Sequence, residues 1–341
     1  MREAMFWDKA DGDRVRCGLC RFACLIAPGR RGRCGVRENR AGTLYTLVYA
    51  RSIAENVDPI EKKPLYHFHP GSRSYSVATV GCNFRCLHCQ NHEISQWPHL
   101  HATIPGDELP PAAVVAGAQR NGCRSIAYTY TEPTIFYEYA YDTAVLARQA
   151  GIGNVFVTNG YITTAALEAM APYLDAANVD LKGFTEKFYR EVTGASLAGV
   201  LACLEDYHRL GIWLEVTTLI IPGLNDDPDD LRRLAGYIAG RLGRDVPWHV
   251  SAFHPAYRLL DRPVTPAATL QLAAAIGREA GLHHVYLGNL VGTGGEDTVC
   301  PHCGAVAIRR RGFRVLAQAI DGGRCRACGG AIAGVGLGEA G

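Results

Sequence analysis

The distribution of cysteines constrains this 341-residue chain more than any other feature. Eleven of the thirteen cysteines fall into three groups, and the middle group is Cys82-x3-Cys86-x2-Cys89. An odd cysteine count with short spacings is typical of metal sites in a reducing compartment and argues against a disulfide framework. We therefore expect metal centres in three parts of the chain.

The middle group predicts a catalytic metal centre. Three thiolates, from Cys82 to Cys89, can surround one inorganic cluster, whereas simple [4Fe–4S] carriers use four cysteine ligands. The sequence offers no fourth cysteine nearby, so one iron would be left open, and an open position distinguishes catalytic from structural metal sites. The alternative is a zinc loop that borrows a distant fourth ligand.

Composition and charge narrow the class of protein. Hydrophobic residues make up 48% and charged residues 20%, as in soluble globular enzymes. The net charge of +2 gives no indication of bulk electrostatic binding to nucleic acid or membrane. The first residues lack an apolar signal segment, and no long apolar run follows. We expect a cytoplasmic protein that binds neither membrane nor nucleic acid.

The region from residue 75 to 290 alternates short apolar strands with amphipathic helices, which predicts an α/β fold with a parallel sheet. One helix should begin after Asp227-Pro228, and another at Thr265-Pro266 with the threonine as N-cap. The sheet could belong to a βα barrel or to an open doubly wound fold. The predicted strands are Ser76–Thr79, Ser125–Tyr128, Asn154–Thr158, Asn178–Leu181, Trp213–Ile220, Trp248–Ala252 and His284–Leu287.

Polar clusters follow the predicted strands directly. Because the carboxyl ends of parallel strands converge on one face, we expect these clusters to meet there and form the active site. The clusters are the cysteine loop, Thr131-Glu132-Pro133, Asn159-Gly160, Lys182-Gly183, Pro222-Gly223-Leu224-Asn225 and His254-Pro255.

The C-terminal group, Cys300-x2-Cys303-x21-Cys325-x2-Cys328, predicts a zinc ribbon. Two Cys-x2-Cys knuckles allow tetrahedral ligation by four thiolates. A short glycine-rich segment buries little surface by itself, so the metal would supply much of its folding free energy. The segment from residue 334 to the C-terminus is expected to be a flexible tail.

The N-terminal group consists of Cys17, Cys20, Cys24 and Cys34. Four thiolates over eighteen residues could hold either zinc or an auxiliary [4Fe–4S] cluster, and the sequence favours zinc. Three regions are therefore predicted: a Cys-rich N-terminal segment with a metal site (1–74), a catalytic α/β domain (75–290), and a ribbon with a flexible tail (291–341).

The cysteine loop, with Asn83, Gln90 and Asn91 beside it, resembles that of radical S-adenosylmethionine (SAM) enzymes, in particular the glycyl-radical activating enzymes. The resemblance implies that Cys82, Cys86 and Cys89 hold a [4Fe–4S] cluster, and that SAM binds its open iron and is cleaved to a 5′-deoxyadenosyl radical. It also implies a partial (β/α)6 TIM-type barrel and a one-electron donor such as flavodoxin or ferredoxin.

Further motifs resemble the AmmeMemoRadiSam-system radical SAM enzymes over nearly the whole chain. That family is named for companions that resemble AMMECR and Memo proteins, so such proteins are expected partners. The resemblance does not identify a substrate. The motifs are Asp58–Phe68, Tyr128–Thr134, Pro247-Trp248-His249, Phe253-His254-Pro255 and Tyr286–Asn289, together with both outer cysteine sets.

The resemblance also implies contacts to SAM. Glu132 takes the place of the acid that accepts hydrogen bonds from the SAM amine, although the two glycines of the family turn are missing. Thr217 stands where activating enzymes have an arginine, and Val157 replaces an acid of their cation site. The implied SAM-binding residues are Glu132, Thr158, Asn159, Asp180, Lys182, Thr217 and His254.

Three functions are compatible with the sequence. The first is a radical SAM enzyme that acts on an undetermined substrate, and the second is an activase that forms a radical on a protein glycine. The third is a zinc-ribbon binding module on an inert barrel, which the near-neutral charge and the polar clusters disfavour.

Overall fold

A mostly parallel sheet of eight strands forms the centre of the protein in the computed structural model, which describes residues 1–290 and 294–339. Strands β2 to β8 are parallel, and β1 pairs antiparallel with β2 at one edge. The strands are β1 (Ala54–Pro59), β2 (Arg73–Ala78), β3 (Ser125–Tyr128), β4 (Gly153–Thr158), β5 (Ala176–Asp180), β6 (Trp213–Ile220), β7 (Trp248–Ala252) and β8 (Val285–Gly288).

The strand order follows the sequence from β1 to β8. A doubly wound sheet reverses its order at a switch point, and the eight described strands contain no such reversal. The sheet has seven parallel strands in sequence order, one more than the predicted (β/α)6 barrel would have. The seven predicted strands are all present, and β3, β6 and β7 have the predicted ends.

Strand β1 was not predicted. Its residues alternate poorly between apolar and polar types, and most of its side chains are exposed or half-buried. It is held by its ladder with β2, in which Ala54 lies opposite Ala78 and Pro59 opposite Arg73. The predicted boundary at residue 74 therefore falls inside β2, and part of the N-terminal segment belongs to the central sheet.

Helices connect the parallel strands. Asp227 caps the helix Pro228–Tyr237, and its carboxylate accepts hydrogen bonds from the N–H groups of Asp229 and Asp230. The other predicted start was wrong by one position, because the hydroxyl of Thr265 bonds to Phe253 and Ile220 instead of capping. The helices are His92–Ser95, Trp97–Leu100, Pro111–Arg120, Tyr137–Gln149, Thr164–Met170, Glu186–Phe188, Leu197–Arg209, Pro228–Tyr237 and Ala267–Glu279; shorter 3₁₀ or π turns are Ile60–Lys62, Pro133–Phe136, Ala171–Tyr173, Tyr189–Thr193 and Ile238–Leu242.

Small antiparallel sheets carry the outer cysteine groups. Two three-stranded sheets lie in the N-terminal segment, and the ribbon contains a three-stranded sheet and a hairpin. The N-terminal strands are Arg2–Glu3, Trp7–Lys9, Val15–Cys17, Leu25–Ile26, Arg37–Arg40 and Thr43–Thr46; Arg51–Ser52 pairs with Asp107–Glu108. The ribbon strands are Thr298–Val299, Val306–Arg311, Arg314–Gln318, Ile320–Asp321 and Arg324–Cys325.

The ribbon packs against the sheet through buried polar contacts. Glu215 of β6 is fully buried and accepts hydrogen bonds from the N–H groups of Tyr66 and His67 and from the ring of His249. The His67 ring bonds in turn to the carbonyl of Ala333. These contacts join the N-terminal segment, the sheet and the chain end.

Part of the predicted flexible tail packs against the rest of the chain. Val335 pairs with Phe68, and Leu337 is buried in the ribbon core. The glycine-rich sequence does not indicate these two apolar contacts. Residues 291–293, at the start of the predicted ribbon region, and residues 340–341 lie outside the described residues. Among residues 1–290 and 294–339, no helix has the length and apolar character needed to span a membrane.

Candidate cofactor site

A cavity of about 530 Å³ lies at the carboxyl ends of the parallel strands. This is the face on which βα barrels build their active sites. The structure brings together all the predicted SAM-site residues except His254. Those that line the cavity are Cys82, Cys86, Cys89, Glu132, Thr158, Asn159, Asp180, Lys182 and Thr217.

The cysteine loop follows β2 and presents its three thiols to the cavity. The N–H of Phe84 lies 3.4 Å from the Cys82 sulfur, and the side-chain amide of Asn159 lies 3.7 Å from it. The Cys89 sulfur lies 3.2 Å from the Ser95 hydroxyl. Hydrogen bonds to the sulfurs are one of the means by which proteins set the potential of an iron–sulfur cluster.

The spacing of these three sulfurs fits a cluster better than a single ion. Among the described residues, the ribbon cysteines form a set of candidate ligands whose atoms all lie within 4.8 Å of one another, and the loop cysteines do not. In a [4Fe–4S] cluster each thiolate binds a different iron, so the sulfurs stand farther apart than around one ion. Cys82, Cys86 and Cys89 thus suit a cluster with one iron open to the cavity.

Glu132 is completely buried, and its carboxylate holds two neighbouring loops together. Oε1 accepts hydrogen bonds from the N–H of Thr134 (3.0 Å) and the hydroxyl of Thr158 (2.7 Å), and Oε2 accepts one from the N–H of Asn159 (2.8 Å). The Thr134 hydroxyl adds a fourth at 2.5 Å. Burial raises the pKa of Glu132, although these donors oppose the shift.

Three of these four hydrogen bonds fall on Oε1, so Oε2, which has one donor, keeps a free lone pair. The sequence resemblance implies that Glu132 accepts from the SAM amine. The geometry also gives Glu132 a positioning role, because it fixes the Asn159 turn beside Cys82. The sequence does not indicate how many hydrogen bonds a loop carboxylate will accept from its neighbours.

Asp180 and Lys182 follow β5 and form an ion pair with 2.7 Å between Nζ and Oδ2. Burial lowers the pKa of Lys182, but the negative charges of Asp180 and Cys86 more than offset this, so the pKa lies above its ordinary value. Lys182 therefore keeps a positive charge close to Cys86. A cation here favours the thiolate form that a metal ligand needs.

Three buried polar atoms at the cavity have no hydrogen-bond partner among the described residues. They are Nδ1 of His88, Oδ1 of Asn159 and Oγ1 of Thr217. Burial, reinforced by Lys182, lowers the pKa of His88 to about 3, so the ring is neutral. A buried polar group without a partner is costly, so these atoms fit a polar ligand in the cavity. His88 was not singled out in the sequence.

A second wall of the cavity comes from the segment after β1. Lys62 and Lys63 line it, and both ammonium groups bond to the carboxylate of Asp58, at 2.8 and 2.7 Å. Burial lowers the pKa of Lys63 to about 8, partly opposed by Asp58. Tyr130, from the family motif Tyr128–Thr134, also lines this wall, and its hydroxyl donates to Asp58.

The backbone of Tyr130 has a φ of 61°. Non-glycine residues seldom adopt this left-handed region, and such conformations concentrate at functional sites. His254, in contrast, is exposed, and its ring lies 3.4 Å from the Asn289 carbonyl. Asn289 lines the cavity while His254 is outside its lining. The family motifs Asp58–Phe68 and Tyr128–Thr134 were the sequence signals for this wall.

The comparisons with known proteins agree with this geometry. Residues 76–235 match the model of the radical SAM superfamily, a span that contains the cysteine loop and strands β3 to β6. This part of the chain is a radical SAM superfamily domain. Membership implies a [4Fe–4S] cluster and SAM as cofactors, and the cavity residues fit both.

Two curated relatives differ in how much of this chain their similarity covers. An uncharacterized protein of Methanocaldococcus jannaschii, MJ0808, is 47% identical over 331 residues, covering 96% of this chain and 98% of its own, so both belong to one family. The pyruvate formate-lyase-activating enzyme of Clostridium pasteurianum is 24% identical, covering 50% of this chain and 70% of that protein.

Among solved structures, the fold is similar to that of Streptococcus suis SuiB bound to S-adenosylmethionine, with a TM-score of 0.51 and 13% identity. The similarity covers 68% of this chain and 53% of SuiB. It supports the shared fold of this radical SAM chain.

The ribbon forms a separate candidate metal site. Its sulfurs lie 3.7 Å apart for Cys300 and Cys328 and 3.8 Å apart for Cys303 and Cys325. Tetrahedral Zn²⁺ with Zn–S bonds of 2.3 Å requires sulfurs about 3.8 Å apart, so the spacing suits one zinc ion. Gly304, with a φ of 76°, allows the tight turn after the first knuckle.

Proposed function

We propose that this radical SAM protein is an enzyme of the AmmeMemoRadiSam type that abstracts hydrogen from a small or macromolecular substrate bound over the cavity. The observation that carries the proposal is the position of the cysteine loop, whose three thiols face a 530 Å³ cavity lined by otherwise unpartnered polar atoms. When bound there, a reduced [4Fe–4S] cluster supplies the electron that cleaves SAM to methionine and a 5′-deoxyadenosyl radical.

The residues of the chain have distinct roles in this proposal. Cys82, Cys86 and Cys89 hold the cluster, and Lys182 keeps a positive charge beside Cys86. Asn159 offers Oδ1 to a polar group of SAM while its amide bonds to Asn83 at 2.8 Å. The buried walls exclude water from the reacting centre.

The wall made by Lys62, Lys63 and Tyr130 is proposed to face the substrate. Asp58 neutralises one of the two ammonium charges, so the wall keeps a net positive charge. Lys62 is half-exposed, with 46% of its side chain accessible, and can turn toward an anionic group of the substrate. An electron donor of the flavodoxin or ferredoxin class and companions of AMMECR-like and Memo-like type remain proposed partners.

The ribbon is proposed to hold structural zinc through Cys300, Cys303, Cys325 and Cys328. Its four thiols already stand at the spacing of a single tetrahedral ion. All four positions would be filled by protein, which is the pattern of structural zinc sites.

A second candidate function is activation of a glycyl-radical enzyme. The similarity to the activating enzyme of Clostridium pasteurianum favours it. In this chain, however, Thr131-Glu132-Pro133 stands in place of the family turn and lacks both of its glycines, and the acid already accepts four internal hydrogen bonds. These differences favour the first candidate.

Electron paramagnetic resonance (EPR) tests the proposal. Wild-type protein, reconstituted anaerobically and reduced with dithionite, should give a [4Fe–4S]⁺ signal that changes when SAM is added. Cys86→Ala should lose the SAM-dependent change, whereas the control Cys123→Ala should keep it. A wild-type signal that does not respond to SAM would contradict the proposal. A stable glycyl radical formed on a companion enzyme would instead select the activase.

A further inference from the structure

The four N-terminal cysteines line one cavity close to the central sheet. Cys17 and Cys34 are buried, and Cys20 and Cys24 are half-buried. The cavity between them is otherwise lined mainly by apolar side chains, among them Ile135. Four thiols that converge on one enclosed space form a complete ligand set for a metal centre.

The spacing of these thiols differs from that of the ribbon. The ribbon sulfurs all lie within 4.8 Å of one another, and among the described residues the N-terminal four do not form such a set. One zinc ion requires sulfurs about 3.8 Å apart. The N-terminal cysteines nevertheless line one common cavity. They are clustered, but more widely than a single ion allows.

The sulfurs of Cys82, Cys86 and Cys89 are likewise too far apart to form such a set. In this respect the N-terminal group resembles the SAM-site loop. One chain thus contains two kinds of cysteine group. The compact group suits one ion, and the two wider groups suit a cluster whose irons each bind one thiolate. The sequence favoured zinc for the N-terminal group because spacing along the chain cannot separate these two cases.

A hydrogen-bond donor lies against the N-terminal sulfurs. Nη1 of the buried guanidinium of Arg37 is 3.4 Å from the Cys17 sulfur, and the same guanidinium forms an ion pair with the buried carboxylate of Glu138. A buried cluster with four thiolates is an anion, so a donor at a sulfur offsets part of the cost of its burial.

The N-terminal group also lies against the SAM-site loop. A Cβ atom added to Gly81 would stand 3.0 Å from the carbonyl oxygen of Cys34, so only glycine fits at this contact. Phe22 and Phe84, one from each cysteine loop, meet edge to face with ring centroids 6.3 Å apart. Arg33 donates to the Asn83 carbonyl. The two cysteine loops are therefore neighbours in the fold.

We propose that Cys17, Cys20, Cys24 and Cys34 bind a second [4Fe–4S] cluster beside the SAM-site loop. Because protein thiolates fill all four of its irons, this cluster does not bind SAM. Its position in contact with the loop of Cys82 suits it to exchange single electrons with the SAM-site cluster, with a flavodoxin- or ferredoxin-class protein as the external reductant. The site stands independently of the substrate proposed above.

The test removes the SAM-site cluster and asks what iron remains. We would reconstitute the full-length triple variant Cys82→Ala/Cys86→Ala/Cys89→Ala anaerobically with iron and sulfide, then measure iron, sulfide and zinc per chain. The proposal predicts about four irons and four sulfides, with an EPR signal after reduction that SAM does not change. The wild type should hold about twice that iron, and Cys123→Ala should match the wild type.

The complementary variant Cys20→Ala/Cys24→Ala should lose about half of the wild-type iron and keep the SAM-responsive signal. If this variant does not fold, the triple variant and the wild-type iron content still decide the question. A triple variant that binds no iron, whether or not its zinc content rises to two per chain, would overturn the proposal. A wild-type EPR signal that does not change with SAM would instead contradict the proposed function, and the proposal of a second cluster would be unaffected.

Discussion

The side-chain amide of Asn159 lies 3.7 Å from the sulfur of Cys82. This contact joins the turn after β4 to the cysteine loop after β2. It depends on Glu132, whose Oε2 accepts the N–H of Asn159 at 2.8 Å. The loops after β2, β3 and β4 are distant from one another in sequence, and together they fix the position of one sulfur of the proposed cluster.

Glu132→Gln should therefore slow SAM cleavage without changing the cluster ligands. The amide places an N–H₂ group where an acceptor is needed, and the N–H groups of Thr134 and Asn159 can only donate. We expect a loss of about 10- to 100-fold in the rate of 5′-deoxyadenosine formation, as is typical when partners of metal ligands are changed. The exposed acid Glu191, changed to Gln, is the control. Equal rates for both variants would argue against the positioning role.

Lys182→Met should make the SAM-site cluster harder to reduce. Lys182 places a positive charge near Cys86, and this charge stabilises the more negative, reduced cluster. We expect the reduction potential to fall by an amount on the order of tens of millivolts, measured by EPR-monitored redox titration. Lys187→Met, at an exposed position on the next helix, should leave it unchanged. An unaltered potential in Lys182→Met would show that this charge is screened.

The stability of the protein should fall in mild acid through His67. Burial lowers the pKa of His67 to about 4, so between pH 4 and 6.5 the unfolded chain binds a proton that the folded protein does not. From pH 7 to 5.5 this group should cost about 1 kcal/mol of unfolding free energy.

Urea denaturation of the wild type and His67→Gln at both pH values measures this contribution. The variant should lose less stability on acidification, while His101→Gln, an exposed control, should lose as much as the wild type. A pH response in His67→Gln equal to that of the wild type would place the acid sensitivity in other groups, such as the neighbouring His284.

Cys303→Ser should release zinc from the ribbon without affecting iron. The ribbon core is small, so much of its folding free energy should come from the metal. We expect zinc content to fall from about one ion per chain to near zero, with faster proteolysis after residue 296. The control Cys123→Ser should retain its zinc. Unchanged zinc in Cys303→Ser would show that the ion lies elsewhere.

The sequence predicted the parallel strands and the SAM-site loops well because both depend on local patterns. Apolar runs such as Trp213–Ile220 mark buried strands, and the polar residues that follow them must meet at one face of the sheet. The cysteine loop and Lys182 were found in this way. The four C-terminal cysteines come together as predicted, since two knuckles with following glycines specify local turns.

The remaining features depend on contacts between distant segments. Strand β1 pairs with β2 through its backbone, which its polar sequence does not reveal. The sequence gives no indication that the Glu132 carboxylate accepts hydrogen bonds from three other residues, as it does in the structure. His254 follows a strand as expected but remains exposed. For the N-terminal cysteines, only the spatial separation of their sulfurs distinguishes a cluster from zinc.

The central claim is that Cys82, Cys86 and Cys89 support reductive cleavage of SAM. The most direct measurement is the amount of 5′-deoxyadenosine and methionine formed by anaerobically reconstituted protein with dithionite and SAM, for the wild type, Cys86→Ala and the control Cys123→Ala. The account predicts both products from the wild type and the control, and none above background from Cys86→Ala. Failure of the wild type to form 5′-deoxyadenosine while it carries its full complement of iron and sulfide would contradict it.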